Sequence, residues 1–470
     1  MQLSNNNKIN KIFSIISEEA EKIGVEAYVI GGFVRDYYLQ RSNSDIDIVV
    51  SGHGIDLACA VAKTLETKVN VFKAFGTAMI KYLGVELEFV GARKESYRAD
   101  SRNPIVEDGT LEEDRERRDF TINTMSFSLQ KNNFGELIDP FGGIKDLNKG
   151  LLRTPLDPDK TYIDDPLRMI RAVRFASQLG FQIIHESLDS IKKNSYRLEI
   201  LKMERVHVEL EKILMSPKPS IGFILMEEIG MLEYILPELH DLKGVETVEG
   251  MGHKDNFFHS IKVLDNVASV SDDNIWLRWA ALLHDIGKAP TKKFEEGIGW
   301  TFHAHDFVGA KMLTEVFSRL KMSQTKDLKY VQKLVRLHMR PIALVTDEVT
   351  DSAVRRLLFD AGDQVDDLMI LCEADITSKN DRKVARLKQN FIAVRQKLID
   401  VEERDKIRNF QPPVDGELIM KTYGLKPGIE IGIIKDLIKE AILNGEIPNE
   451  LPAAYDLMKS VAAKMNLKEI

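Results

Sequence analysis

Asp45 and Asp47, in "SDIDIVV", stand two residues apart at the head of an apolar, β-branched run. Residues two apart on a strand point to one face, so this spacing sets both carboxylates side by side. Like charges held together repel, a divalent cation removes that cost, and hard oxygen ligands suit Mg²⁺. Just upstream, "GGFVRD" puts Gly31 and Gly32 at the start of a helix, where backbone N–H groups can meet a triphosphate. Arg35 and Asp36 follow one turn on, and Glu88, in "VELEFVGAR", is a third acid on a neighbouring apolar strand. Two metals ~4 Å apart on such acids serve nucleotidyl transfer. An Asp-x-Asp or a Gly-Gly alone is more often a turn; the combination with a third acid is what points to chemistry.

The elements that must hold these residues read as an α/β unit. Ile9, Ile12, Phe13, Ile16 and Ala20 have helix spacing. "AYVIGG" reads as a short buried strand closing on a glycine turn and "DIDIVVSG" as a second strand. "GIDLACAVAKTLE" reads as a helix, and residues 68–93 supply three further short strands. Residues 98–116 are polar, hold Pro and Gly, and read as a long functional loop. From residue 164 onward helix follows helix, with amphipathic or buried segments at 164–181, 203–214, 221–235 and 276–288. The expected fold class is therefore α+β: a head with a small mixed sheet and helices, followed by a long all-α body.

The chain of 470 residues is too long for one core. Hydrophobic content of 44% and charged content of 29% describe an ordinary globular protein. The net charge of −8 does not exclude a nucleic-acid partner, because a local basic stripe binds phosphate on an acidic body. Only Cys59 and Cys372 occur, far apart, which excludes a disulfide scaffold and fits a reducing cytoplasm. The N-terminus lacks a secretory pattern and no apolar run reaches membrane-spanning length, so no membrane partner is expected.

"GGFVRD…DIDIVV" resembles the first motif of the DNA polymerase β-like nucleotidyltransferases. "RRDFTINTMSF" (117–127), "DPFGG" (139–143), "DDPLRMIRAVRFASQLGF" (164–181) and "MERVHVELEKIL" (203–214) follow in order. That series resembles the bacterial class II tRNA nucleotidyltransferase (CCA-adding enzyme) and poly(A) polymerase family. The resemblance implies that Asp45 and Asp47 hold Mg²⁺, with Glu88 as a weaker third candidate. It implies that Arg117, Arg118, Asp119 and Asn123 contact the nucleotide sugar and phosphates. Asp165 and Arg168 match the pair that reads the base edge, with Arg171 and Arg174 on the same helical face. The family has Glu-Asp where this chain has Asp164-Asp165, a methylene shorter at the first acid. Members that add the whole CCA end carry a flexible loop where residues 98–116 stand, which leans toward a chain that incorporates A.

His259, His284-Asp285, His305, His338 and Asp375, in that order, resemble the HD phosphohydrolase domain. His259, His284, Asp285 and Asp375 match its metal ligands, and His305 and His338 match the additional histidines of two-metal members. Mixed imidazole and carboxylate ligation suits a divalent transition metal, and Lys288 would neutralise a phosphate. His303 does not fit the pattern. Residues 379–397, with Lys379, Arg382, Lys383, Arg386, Lys388, Arg395 and Lys397 against Asp381, form a basic helix with Val384, Leu387, Phe391 and Val394 as its buried stripe. Arg382, Lys383 and Arg386 are its candidate RNA contacts, for recognition of a tRNA elbow by shape and backbone.

The resulting expectation is a template-independent tRNA 3′-end nucleotidyltransferase using CTP and ATP. Its divisions are a head at 1–150, a helical neck at 151–240, an HD domain at 241–400 and a helical tail at 401–470. An A-adding enzyme and a poly(A) polymerase share the scaffold. A metal-dependent phosphohydrolase with a nucleotide-binding head is the rival from another class.

Overall fold

The structure, a computed structural model, describes residues 7–98, 101–248, 250–271, 273–346, 349–378 and 380–470. The chain divides into two compact units, Met1–Pro237 and Glu238–Ile470. The boundary expected near 240 lies three residues from this division. The expected boundaries at 150 and 400 fall inside the units, the latter within one continuous helix.

In the first unit, helix α1 (Asn7–Ile23) precedes strand β1 (Ala27–Ile30), helix α2 (Gly32–Tyr38), strand β2 (Asp45–Val50) and helix α3 (Gly54–Thr64). Strands β3 (Val69–Phe72), β4 (Thr77–Tyr82) and β5 (Val85–Gly91) follow, and then β6 (Arg93–Arg98) and β7 (Ser101–Asp108). Helix α4 (Leu111–Glu116), strand β8 (Ser126–Ser128) and strand β9 (Leu137–Ile138) complete the head. The main sheet has the order β3-β4-β5-β2-β1-β8-β9, with β2 and β5 parallel and the other neighbours antiparallel. Ile46, Ile48, Leu87 and Phe89 are fully buried, so the alternation that aims them into the core aims Asp45, Asp47 and Glu88 to the opposite face. Helix α3 starts so close to β5 that a Cβ on Gly54 would lie 2.7 Å from the Val90 carbonyl carbon, which only glycine allows.

The helices that follow are α5 (Gly143–Lys149), α6 (Pro158–Asp164), α7 (Leu167–Leu179), α8 (His185–Asn194), α9 (Met203–Leu214), α10 (Ser220–Glu228) and α11 (Leu232–Ile235). Helix α12 (Pro237–His240) lies at the junction of the units. The second unit holds α13 (Asn256–Ala268), α14 (Ile275–Leu283), α15 (Lys288–Thr291), α16 (His305–Arg319), α17 (Lys326–Leu337) and α18 (Met339–Thr346). It continues through α19 (Asp351–Ala361), α20 (Val365–Ala374), α21 (Asp381–Asp405), α22 (Gly416–Tyr423), α23 (Ile429–Asn444) and α24 (Leu451–Lys464). Short two-stranded pieces interrupt the helices, among them 247–252 and 293–301.

Three local expectations need correction. Residues 98–116 are not a structureless loop: the segment pairs as the β6–β7 hairpin and then turns into α4. A capping box starts α4, with Glu113 N donating to Thr110 Oγ1 at 3.2 Å and Thr110 N to Glu113 Oε2 at 2.9 Å. Residues 99 and 100 of that stretch lie outside the described residues. The helix expected over 221–235 is broken in two, because Gly230 adopts the left-handed φ of +71° that ends a helix. The helix expected from residue 164 begins at Leu167, since Asp165 precedes a proline and is extended (φ −135°, ψ 99°).

Candidate functional site

The parallel register sets Asp47 beside Glu88 and Asp45 beside Glu86. Glu86 is engaged by Lys81 across the β4–β5 hairpin. Burial pushes the Asp47 carboxyl up; Arg118 works against that and Asp45 adds to it. Burial also raises Glu88, and the charges of Asp47 and Asp45 raise it further. Asp47 and Glu88 thus carry their charge at a cost, partly through the Asp45 carboxylate on the same face, and a cation relieves that cost. Asp45 and Asp47 line a cavity of about 1040 Å³; Glu88 does not reach its wall.

Gly31 and Gly32 form the turn into α2 and line the same cavity. Gly31 has φ +81°, and a Cβ there would lie 3.1 Å from Arg118 Nη1 and 3.4 Å from Asp47 Oδ2. Any other residue would push into the gap between a guanidinium and a carboxylate. Eight arginines (35, 93, 117, 118, 168, 171, 174 and 205) and Lys212 line the cavity against four aspartates (45, 47, 119 and 165). On a chain of net charge −8 this is a strongly cationic hollow, suited to an anion of several charges.

A chain of hydrogen bonds orders the wall. Asn43 Nδ2 donates to Asp36 Oδ2 at 2.8 Å, and Arg35 forks onto both Asp36 oxygens at 2.9 Å. Arg35 Nη1 donates to Asn123 Oδ1 at 3.0 Å, and Asn123 Nδ2 donates to Asp119 Oδ1 at 2.9 Å. Asp119 Oδ2 accepts from Arg171 Nε at 2.7 Å. Burial opposes the charge on Asp119, but Arg171 and the Asn123 hydrogen bond overcome it and hold the carboxyl far below its ordinary range. Asp36 is buried behind Arg35 and does not line the cavity, so it orients Arg35 and does not face the nucleotide space expected for it. Asp165 Oδ1 caps α7 through Leu167 N at 3.1 Å, and Arg168 reaches the Arg117 carbonyl at 2.5 Å. Arg174 pairs with Glu209 at 2.8 Å, and burial lowers its guanidinium to about 10.

Among the residues that sequence reading passed over, four stand out. Phe175 lies under the guanidinium carbons of Arg174, Arg35 and Arg171 at 4.2, 5.1 and 5.6 Å, a spacing typical of cation–π contact. Arg205 and Lys212 extend the cationic wall from α9, seven residues apart. Asp114, fully buried, grips both Arg117 and Arg118. Its signal was available as an acid three and four residues before two arginines in a helix-forming stretch.

In the second unit the six expected residues converge. His259 Nε2 lies 2.8 Å from Asp375 Oδ1 and 3.4 Å from Asp285 Oδ2, and His284 Nε2 lies 3.2 Å from Asp285 Oδ2. His305 and His338 approach Asp285 Oδ1 at 3.5 and 3.8 Å. Among the described residues, two sets of three groups have ligand atoms within 4.8 Å of one another: His259, His284 and Asp375, and His284, Asp285 and His338.

Each imidazole is anchored through Nδ1: His259 on Thr377 Oγ1 at 2.9 Å, His284 on the Ala281 carbonyl at 2.9 Å, His305 on the Phe302 carbonyl at 2.9 Å and His338 on the Val335 carbonyl at 2.6 Å. A carbonyl accepts only from N–H, so three of the rings carry a proton on Nδ1 and turn Nε2 toward the carboxylates. Buried His284 Nε2 and Asp285 Oδ1 have no hydrogen-bond partner, and burial pushes His338 down to about 4. Imidazole Nε2 atoms gathered against carboxylates are a donor set that a divalent metal takes, and the residues present fit one. Lys288 Nζ donates to Asp285 Oδ2 at 2.6 Å, so it is held beside the cluster. His303 is exposed and faces Glu295 at 3.6 Å, outside the cluster.

On α21, Arg382, Lys383 and Arg386 are exposed. Phe391 and Val394 are buried as expected, whereas Val384 and Leu387 are only half-buried. Arg395 is taken up by Glu373 at 2.6 Å and Lys397 by Asp351 at 3.2 Å, which removes both from the basic face. Lys379 lies outside the described residues.

Comparison with known proteins agrees with this geometry. Residues 27–153 match the family described as "Poly A polymerase head domain", 180–243 "Probable RNA and SrmB- binding site of polymerase A", and 256–380 "HD domain". An A-adding tRNA nucleotidyltransferase of Deinococcus radiodurans is 32% identical over 346 residues, 72% of this chain and 76% of that protein. The chain belongs to the tRNA nucleotidyltransferase and poly(A) polymerase family. A CCA-adding enzyme of Anoxybacillus flavithermus is 38% identical over 236 residues; the match spans 50% of this chain and 57% of that relative's length. A solved structure of a CCA-adding enzyme in its apo form I shares the fold, with a TM-score of 0.65 at 23% identity over 97% of this chain and 94% of that one. A nucleotidyltransferase head and an HD domain together imply dependence on divalent metal. No helix of the described residues is long and apolar enough to cross a membrane.

Proposed function

We propose that this protein is a template-independent nucleotidyltransferase that builds the CCA end of tRNA from CTP and ATP in the cytoplasm. The observation that carries the reading is the 1040 Å³ cavity in which the Gly31–Gly32 turn and the Asp45–Asp47 pair face a ring of arginines. Asp45 and Asp47 are the Mg²⁺ ligands in this reading, and Glu88 adds negative potential behind them. Mg²⁺, when bound, supplies charge that offsets the triphosphate and the leaving pyrophosphate. Arg117 and Arg118 take phosphate oxygens, and the linked Arg35, Asn123, Asp119 and Arg171 hold the sugar side of the nucleotide.

Asp165 and Arg168 read the base. A carboxylate accepts from the exocyclic amine that C and A share, and a guanidinium donates to a ring nitrogen. Uracil and guanine put a carbonyl where that amine should be, and are refused. The tRNA 3′-hydroxyl attacks the α-phosphate, so that one P–O bond forms as the bond to pyrophosphate breaks. Arg382, Lys383 and Arg386 contact the tRNA backbone near the elbow. Residues 1–150 act as catalytic head, 151–240 as neck, 241–400 as HD domain and 401–470 as tail.

In the second unit His259, His284, Asp285 and Asp375 hold a divalent transition metal, with His305 and His338 beside it. Such an ion, when bound, supplies Lewis acidity for phosphoester hydrolysis. Addition of A alone is a second reading, favoured by the match to the Deinococcus radiodurans A-adding relative over 76% of its length. Incubating the protein and Mg²⁺ with tRNA transcripts ending before CCA and after CC, each offered the four nucleoside triphosphates singly, tests the main reading. Incorporation from CTP and ATP is expected, and label from UTP or GTP at comparable rates would refute the base-reading roles.

A further inference from the structure

Asp114 is fully buried on α4, a helix of six residues set by its Thr110–Glu113 capping box. Its two oxygens are divided between neighbours in sequence. Oδ1 accepts from Arg117 Nε at 3.0 Å and also from Arg117 Nη2. Oδ2 accepts from Arg118 Nε at 3.3 Å and Nη2 at 3.2 Å. Both arginines line the cavity and are about one-sixth exposed. Adjacent residues at the end of a helix diverge by about 100°, so two guanidiniums meeting at one carboxylate are held there against their natural spread. An unpaired long side chain would sample several rotamers, and fixing one of them on binding costs free energy. The fork on Asp114 removes that freedom and leaves Arg118 Nη1 beside Gly31, where it and Asp47 Oδ2 bracket the absent Cβ at 3.1 and 3.4 Å.

Burial works to raise the Asp114 carboxyl, and the Arg118 and Arg117 charges more than offset it, so the acid is ionised and its pairing is charge-assisted. Asp114 itself does not line the cavity. We propose that Asp114 is a positioning residue for nucleoside triphosphate: one buried carboxylate aims the Arg117 and Arg118 guanidiniums at the phosphate chain, whichever base it carries. This rests on the nucleotidyltransferase reading.

A role on phosphate and not on base has a signature that a merely structural role lacks. Asp114→Asn removes the charge at nearly constant shape, and should raise KM for CTP and for ATP by the same factor, about tenfold or more. The CTP/ATP preference and the KM for the tRNA acceptor should stay unchanged. Stabilisation of the protein by inorganic triphosphate, read as a Tm shift, should fall in parallel. Asp114→Glu, which keeps the charge one methylene further out, should restore part of the loss. Arg118→Lys keeps both Asp114 and the positive charge but loses the forked contact, and should raise both KM values even where Asp114→Asn does not fold. Unchanged nucleotide KM in Asp114→Asn or in Arg118→Lys would overturn the proposal, as would a change confined to one nucleotide. Failure of the wild-type protein to add any nucleotide would instead count against the underlying reading.

Discussion

The two candidate sites solve one problem, crowding charge, in opposite ways. In the first unit the acids are few and the cations many, and four of the guanidiniums are oriented by side-chain carboxylates: Asp36 for Arg35, Asp114 for Arg117 and Arg118, Asp119 for Arg171. The result is an open, positively lined hollow that can accept and release a highly charged ligand. In the second unit the imidazoles are fixed largely by backbone carbonyls, and their Nε2 atoms converge on two aspartates. That arrangement has little freedom and suits an ion held for the life of the fold. Side-chain orientation supports turnover, and backbone orientation supports retention.

The largest expected effect comes from removing the acid pair. Asp47→Ala should lower nucleotide addition by on the order of 10³-fold or more, while the metal content of the second unit, measured by elemental analysis, stays the same. Loss of metal from the second unit in that variant would break the comparison. Asp285→Asn should do the converse, weakening metal retention by about 10–100-fold with nucleotide addition unchanged. Next comes the base-reading pair: Asp165→Ala should reduce the preference for CTP and ATP over UTP and GTP by roughly 10²-fold, read from kcat/KM for each nucleotide. A uniform fall for all four nucleotides would assign Asp165 to helix capping alone.

The smallest effect is one of stability and pH. Asp119 is held below its ordinary pKa in the folded state by Arg171 and Asn123, against burial. A depressed folded pKa gives stabilisation that is complete above the unfolded value of about 3.9 and is lost as pH falls through that range. The denaturation midpoint of Asp119→Asn should therefore lie furthest below wild type near neutral pH, and the gap should narrow below about pH 4. A gap independent of pH would mean that the network is held by shape and not by charge.

Much of this was legible from local pattern. Period-two alternation placed Asp45, Asp47 and Glu88 on one face, and the order of histidines and aspartates anticipated the cluster in the second unit. What escaped were features set by partners distant in sequence or by backbone geometry. Arg395 and Lys397 read as free basic residues until Glu373 and Asp351 claimed them. Asp36 read as a ligand contact because spacing cannot show that Arg35 folds back onto it. The segment 98–116 looked loop-like because a hairpin that pairs only with itself needs no apolar alternation. Asp114 stood in that segment and was masked by it.

The most direct test of the central claim is product analysis with three tRNA transcripts, ending before CCA, after C and after CC. Each would be offered CTP and ATP separately and together with Mg²⁺, alongside the Asp47→Ala variant. Growth of all three to one defined CCA end, absent in the variant, is the predicted result. No extension, extension that persists in Asp47→Ala, or long tails of A would contradict it.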